Sequence, residues 1–453
     1  MKNIRVIGGG LAGPEAALQA AAMGCEVALY EMRPTRSTEA HQTADFAELV
    51  CSNSLKSESE NTAPWLLKQE MRRAGSVLLA EADASAVPAG HALAVDRVEF
   101  SQRVASRIAA ESRITVRREE VTHLDEADPG TITILATGPL TSPALAAELQ
   151  RLTGAAHLAF YDSISPIVDA STIDMSKVYF AARYDKGSAD YINCPFTKQE
   201  YERFLDALTT AEAVPPKAWE AIPSSIEPGA SEPVHYFEGC LPIEETARRG
   251  RDTLRFGPMK PVGLTDPKTG KWPYAVVQLR QENLRADSYN LVGFQNHLRF
   301  GEQARVLRLI PGLEDATFLR YGQIHRNTYI NAPTLLTETL QLRAHPPILI
   351  AGQLSGIEGY TESIASGLLA GRYAAALARG KQPLPAPRLS ANGSLTHYIT
   401  HADSKRFQPA NITFDLLPPL EEELRKKIRD KKERHRIQCE RALAAWDGWL
   451  HDA

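Results

Sequence analysis

The segment IRVIGGGLAGPEAALQAAAMGCEVALYE, close to the N-terminus, constrains the fold more than any other part of the chain. Ile4, Val6 and Ile7 make an apolar strand, and Gly8, Gly10 and Gly13 follow as G-x-G-x-x-G. An alanine-rich helix then runs from Pro14, and Val27, Leu29 and Tyr30 make a second strand that ends at Glu31. Each glycine has a separate task in such a unit. Gly8 permits the tight turn, Gly10 lets the backbone approach a pyrophosphate, and Gly13 lets helix and strand pack closely. The helix N-terminus then meets phosphate with its dipole. Glu31 follows Gly13 by eighteen residues, where a ribose 2′-hydroxyl needs a carboxylate acceptor. The turn residues Gly8, Gly9, Gly10, Leu11, Ala12 and Gly13, together with Glu31, are therefore expected to bind a dinucleotide. An acid at that strand end disfavours a 2′-phosphate, which leaves FAD or NAD.

Two further segments favour FAD. TITILATGPLTS, from Thr131 to Ser142, is an apolar strand ending in Ala-Thr-Gly. PPILIAGQLSGIEGYTESIASGLLAG is a strand followed by Gly352-Gln353, a glycine-rich turn through Gly359 and a small-residue helix. Such a unit can aim backbone N–H groups at a flavin or ribityl phosphate. Its return so late in the chain predicts an α/β protein: a discontinuous Rossmann-like FAD-binding domain with an inserted α+β domain. The expected bounds are 1–160 and 335–453 for the two FAD-binding parts, the second ending in a charged helix, and 161–334 for the insert. VYFAARY and YAVVQLR read as strands of the insert, and the Pro/Ser-rich stretch 214–233 reads as loop.

Bulk properties narrow the class. The 453 residues are 43% hydrophobic and 23% charged, ordinary for a globular chain. No run of about 18 apolar residues suggests a membrane span, and the N-terminus enters a strand at once, so a cytoplasmic protein is expected. The net charge of −4 argues against a general nucleic-acid coat but leaves room for a local basic face. The five cysteines show neither CxxC pairs nor metal-ligand spacing, and no metal site is expected.

One cysteine sits oddly. In FEGCLPIEE, Cys240 lies at a bend, beside Gly239 and the stiffening Pro242, among Glu238, Glu244 and Glu245. Carboxylates at that distance oppose a thiolate unless they face away or move protons. Arg248, Arg249 and Arg251 could offset them.

The stretches VIGGGLAGPEAA, AELVCSNSLKS, ALAVDRVEF, ILATGPLTS, YFEGCLPIEE, LRFGPMKPVGL, NLVGFQNHL and AGQLSGIEGYTESIASGLLAG span nearly the whole chain in order. In them the sequence resembles the folate- and FAD-dependent tRNA (uracil-5-)-methyltransferases, the TrmFO family. The resemblance implies methylation of a T-loop uridine in tRNA at C5, with 5,10-methylenetetrahydrofolate as carbon donor and FAD as the redox cofactor replenished by NAD(P)H. The family's two functional cysteines fall on Cys51 and Cys240. Uracil C5 is a poor nucleophile, and a thiolate added at C6 turns the ring into an enolate that can attack an electrophilic methylene. Cys240 is assigned that addition and Cys51 a place near the flavin, although the reverse assignment is open. Cys25 reads as core. Tyr360, Arg299 and His325 are candidate folate contacts. For RNA, Arg248, Arg249 and Arg251 are the better phosphate contacts. The run from Arg425 to Arg436, with eight Lys or Arg, is either a second contact or a solvated helix face. A base from a folded loop must be flipped out, which predicts an open, basic-rimmed cleft. The same chemistry on rRNA, a flavin-dependent thiol/disulfide oxidoreductase, and a non-catalytic RNA-binding flavoprotein are the competing readings. Choice of NADH or NADPH is not encoded in any motif of the chain.

Overall fold

The computed structural model describes residues 2–124, 130–155, 158–185, 188–214 and 241–452. Its central element is a five-stranded sheet in which every pairing is parallel. The strands run in the order Ile348–Ile350, Thr131–Leu135, β1 (Asn3–Ile7), β2 (Val27–Tyr30) and Ile114–Arg117. Parallel strands need both faces covered, and the apolar runs of β1 and Thr131–Leu135 are buried accordingly. Helix α1 (Ala12–Ala22) follows β1, and helix α2 (Tyr360–Ala378) follows the late strand. The α/β class and the discontinuous Rossmann-like architecture are as expected, because the late strand and α2 complete the sheet that the N-terminus begins.

The chain leaves and re-enters this body through paired antiparallel strands, Leu158–Ser163 against Ile324–Tyr329. Between them lies a six-stranded sheet of antiparallel pairs. It carries its own helices, of which Lys198–Thr210 starts with a reciprocal Thr197–Glu200 capping box. Each body has its own hydrophobic core. The first draws on residues from Ile4 to Leu152 and again from Tyr329 to Trp449, the second on residues from Val168 to Ala316. Cys25 lies in the first core, as expected for a small buried hydrophobe.

In the first body α1 and α2 pack backbone against backbone. A Cβ on Gly367 would lie 2.3 Å from the Ala12 carbonyl oxygen, and one on Gly371 would lie 2.4 Å from that of Ala16. Neither neighbour is a flexible side chain, so the helices would have to separate. Gly367→Ala is expected to destabilise the protein by about 1–3 kcal/mol, the usual cost of overpacking. Chemical denaturation would measure the loss, and an unchanged midpoint would show that the helices part without cost.

Candidate active site

Above the carboxyl ends of the parallel strands an open cleft encloses about 1030 Å³ of atom-free space. Ligand crevices sit at this place in open α/β sheets. The β1–α1 turn forms one wall. Gly8 has φ of +117°, and a Cβ there would lie 2.3 Å from the Ala136 carbonyl oxygen. A Cβ on Gly13 would lie 1.8 Å from the Gly8 oxygen, whereas one on Gly10 would meet nothing within 4 Å. Gly8 and Gly13 therefore close the turn, and Gly10 presents bare backbone to open space. Leu11 at the N-cap of α1 offers no side-chain oxygen to the first N–H groups. A bare turn, an uncapped helix start and an apolar floor suit the pyrophosphate and ring system of a dinucleotide such as FAD.

Glu31 reaches this wall from the end of β2. Its Oε2 accepts from the Gly9 N–H at 2.8 Å, and its Oε1 accepts from the Arg33 backbone and Nε, both at 2.9 Å. Arg33 Nη2 adds a longer contact of 3.3 Å to Oε2, the one most readily exchanged for a ribose hydroxyl. Burial pushes the Glu31 carboxyl up, but the Arg33 guanidinium and the Gly9 amide outweigh it and hold the group below the usual carboxylate range. Arg33 itself is 2% exposed and also pairs with Glu48 at 3.0 Å. His41, on the same side of the cleft, is held down to a pKa of about 4 by burial and by Arg33. It is a neutral imidazole near pH 7, able to offer a hydrogen bond without charge.

The late unit forms the facing wall. Gly352 and Gln353 line the cleft, but the Gly352 N–H is already given to Ser366 Oγ at 2.8 Å, and the Gln353 amide nitrogen donates to Glu358 at 2.6 Å. Gly359 lies off the lining. Its φ is +106°, and a Cβ there would meet the Lys56–Glu362 ion pair, which closes at 2.6 Å. It is the glycine that lets α2 begin where it does.

Tyr360, the first residue of α2, joins the cleft to Cys51. It lines the cleft, and its hydroxyl oxygen accepts from the N–H of Cys51 at 2.7 Å and of Ser52 at 3.3 Å. Burial, then the neighbouring Cys51, raise its pKa, so the phenol stays protonated. The half-buried Cys51 loop is clamped from the other body as well. Arg97 Nη1 donates to the Leu49 carbonyl at 2.5 Å, and its Nε and Nη2 meet Glu282 at 2.6 and 3.2 Å. Arg280 holds Asn53 Oδ1 at 2.9 Å and Ser52 Oγ at 3.3 Å. Arg320 faces the same place: burial and Arg97 lower its pKa, while Tyr360, Cys51 and Glu48 act the other way. It bonds the Ala40 carbonyl and has no ion-pair partner among the described residues. Arg97 and Arg320 both interact electrostatically with Cys51, and cations near a thiol favour its thiolate.

The other expected residues lie elsewhere. Cys240 and Glu238 fall outside the described residues. Of the acids after Cys240, Glu244 turns inward and accepts from the His297 N–H at 2.8 Å, while Glu245 pairs with Arg248. Arg249 caps the short helix Ile243–Arg248, and Arg251 pairs with Asp206 at 2.9 Å. Arg299 is paired with Glu212 at 2.7 Å on the surface and does not line the cleft. His325 lies on the strand Ile324–Tyr329 opposite Asp162, and its side chain is outside the description. Cys194 and Cys439 are buried. In the basic C-terminal run, Lys426 pairs with Glu422 at 2.7 Å and Arg436 with Glu433 at 2.6 Å. Sequence reading missed Arg33, His41, Arg97, Arg280 and Arg320. Arg97 was within sight, since it follows the helix-capping Asp96 inside ALAVDRVEF.

Comparison with known proteins finds relatives along the whole chain. The family model described as "Glucose inhibited division protein A" matches residues 3–382. Proteins named "Methylenetetrahydrofolate--tRNA-(uracil-5-)-methyltransferase TrmFO" are similar along their whole length. That of Koribacter versatilis is 67% identical over 99% of this chain and 98% of its own, and that of Solibacter usitatus 61% identical over 99% of both. That of Enterococcus faecalis is 52% identical over 98% of this chain and 97% of its own. Among solved structures, Aquifex aeolicus GidA superposes with a TM-score of 0.68 over 99% of this chain and 74% of its own, at 17% identity, which speaks for the fold.

The two-arginine setting has a measurable consequence. Iodoacetamide should label Cys51 several-fold more slowly in Arg320→Gln than in the parent protein at neutral pH, because a nearby cation is lost. Peptide mapping separates Cys51 from the buried thiols. Equal rates would show that the guanidinium does not act on the sulfur.

Proposed function

This chain belongs to the methylenetetrahydrofolate--tRNA-(uracil-5-)-methyltransferase TrmFO family, within the wider Glucose inhibited division protein A family, and from that premise we propose how it methylates tRNA. It binds FAD in the cleft above the parallel sheet and takes its one-carbon unit from methylenetetrahydrofolate. Its target is C5 of a uridine in the T loop, and NAD(P)H is the source of electrons. The observation that carries the reading is Tyr360, which lines the cleft while its hydroxyl holds the Cys51 backbone at 2.7 Å. A reactive thiol loop is thereby tied to the edge of a dinucleotide site.

FAD, when bound, supplies the reducing equivalents that convert the transferred methylene into a methyl group. The turn at Gly10 and the start of α1 hold its pyrophosphate, and Glu31, fixed by Arg33, receives its adenosine ribose. Gln353 faces the rest of the cofactor. Tyr360 offers an aromatic face for the pterin of the folate. Arg299, His325, Arg248 and Arg249 are assigned to folate and RNA contacts, although the ion pairs of Arg299 and Arg248 must first open. Cys240 adds as thiolate to C6 of the flipped uracil, which makes C5 nucleophilic toward the methylene carbon. Cys51, which interacts electrostatically with Arg97 and Arg320, assists removal of the C5 proton or handles the one-carbon unit. No described helix is long and apolar enough to cross a membrane, and the cytoplasm, where tRNA is found, is the proposed location.

The test incubates the purified protein with labelled methylenetetrahydrofolate, NAD(P)H and undermodified tRNA. Label should appear as 5-methyluridine in the T loop, and Cys240→Ala and Cys51→Ala should each lose product while remaining yellow. Label in rRNA instead of tRNA would move the substrate. NAD(P)H oxidation with disulfide substrates and no need of folate would replace the reading by a thiol oxidoreductase.

A further inference from the structure

Away from the cleft, Glu338, His397 and His401 bring their ligand atoms within 4.8 Å of one another. We propose that these three side chains form a binding site for one zinc-class divalent ion, with water in the fourth position. The two histidines stand four residues apart on helix α3 (Ala391–His401), hence on one face. Their rings stack with centroids 4.1 Å apart and planes 16° apart, so one ring has to swing for both nitrogens to meet a single ion in plane. Glu338 Oε1 lies 2.9 Å from His397 Nδ1 and 3.6 Å from His401 Nδ1. A tetrahedral ion with ligands at 2.0–2.1 Å sets its donors about 3.3 Å apart, midway between those two distances.

Both elements that carry the donors are rigid. Glu338 sits in a turn closed by the Leu340 N–H to the Thr337 carbonyl at 2.9 Å. Gln341 braces it, accepting from Thr339 at 2.7 Å and donating to the Pro346 carbonyl at 2.8 Å. At its other end α3 is pinned by the buried Glu70 carboxylate, which accepts from the N–H groups of Ala391 and Asn392 at 2.6 and 2.9 Å. The histidines stand at the C-terminal end of α3, where the helix dipole favours a cation. All three side chains are between 36% and 50% exposed, so an ion and its water can enter. His401 Nδ1 also meets Thr400 Oγ1 at 3.0 Å and the His397 carbonyl at 3.1 Å, contacts that a bound ion has to displace. Arg388 feels the Glu338 charge but is held by Ser394 Oγ at 2.7 Å.

Two imidazoles and a carboxylate select zinc, cobalt, nickel or copper over magnesium and calcium, and three protein ligands leave one position open. None of the three residues lines the cleft, so the site stands apart from methyl transfer. The pattern THYITH, in which two histidines are spaced for one helix face, was its only sign in the sequence. A bound ion would fasten the turn that leads into the late parallel strand to helix α3.

The test uses the full-length, flavin-loaded protein, freed of metal by chelator and titrated with zinc in a calorimeter at neutral pH. The parent should bind about one zinc per chain and gain thermal stability with added zinc. Glu338→Gln, His397→Gln and His401→Gln should each weaken binding by at least the 10–100-fold seen when a metal's supporting partners are lost, and should lose the zinc-dependent rise in melting temperature. His451→Gln, on an exposed helix end, should bind as the parent does. Should a site variant fail to fold, cobalt titration of the parent decides: a tetrahedral ligand-field spectrum supports the site. Absence of bound zinc or cobalt in the parent overturns it, as does unchanged affinity in His397→Gln and His401→Gln.

Discussion

Gly367 and Gly371 let α2 lie directly on the backbone of Ala12 and Ala16 in α1, closer than any side chain would permit. Both helices begin at the cleft. The start of α1 presents the bare turn at Gly10, and the start of α2 presents Tyr360. Because the helices are locked by their own main chains, the separation between the Gly10 turn and the Cys51 loop is fixed by helix register, with little left to loop conformation. Positioning of that kind matters in group transfer, where misplacement by about 1 Å can cost about 100-fold in rate.

Charge is handled with the same economy of motion. Arg33 lies buried between Glu31 and Glu48, and Arg97 lies against the buried Glu282. Such pairs are poor net stabilisers, yet removing one partner costs about 3–5 kcal/mol because the other charge is stranded. Their effect is to fix atoms. Arg33 holds the carboxylate at the end of β2 as an anion. Arg97 and Arg280 sew the Cys51 loop to the second body. That loop is therefore shaped by both cores: Tyr360 from the first, and Glu282 and Arg280 from the second.

The dinucleotide unit was legible because it is local. Strand, glycine turn, helix and acid follow one another within about thirty residues, and short-range spacing carries the whole geometry. The late strand was legible for the same reason, and its recurrence pointed to a split domain. The arginines around Cys51 were not. Arg97, Arg280 and Arg320 come from three distant segments, and no spacing rule links them to residue 51. Gly352 and Gly359 show a subtler limit. Both glycines are needed where they stand, one by its φ of +70° close against Ala12 and the other against an ion pair, but a glycine does not announce whether backbone, side chain or ligand occupies the space beside it. Arg299 reads as an anion contact because sequence displays its charge and hides its partner Glu212, which lies 87 residues earlier in the chain; Arg248 reads as one although its partner Glu245 stands only three residues away.

The insertion has a consequence for how the molecule comes into being. The strand Ile348–Ile350 pairs with Thr131–Leu135 and completes the parallel sheet, but a ribosome makes it only after the entire second body. The core of that second body draws on one continuous stretch, from Val168 to Ala316, and can close while translation is still under way. The N-terminal strands must meanwhile wait with one edge open, at a stage when unpaired strands are prone to aggregate. Order of assembly thus runs from the middle of the polypeptide outward, and the nascent chain cannot complete the Tyr360–Cys51 link until residue 360 has emerged.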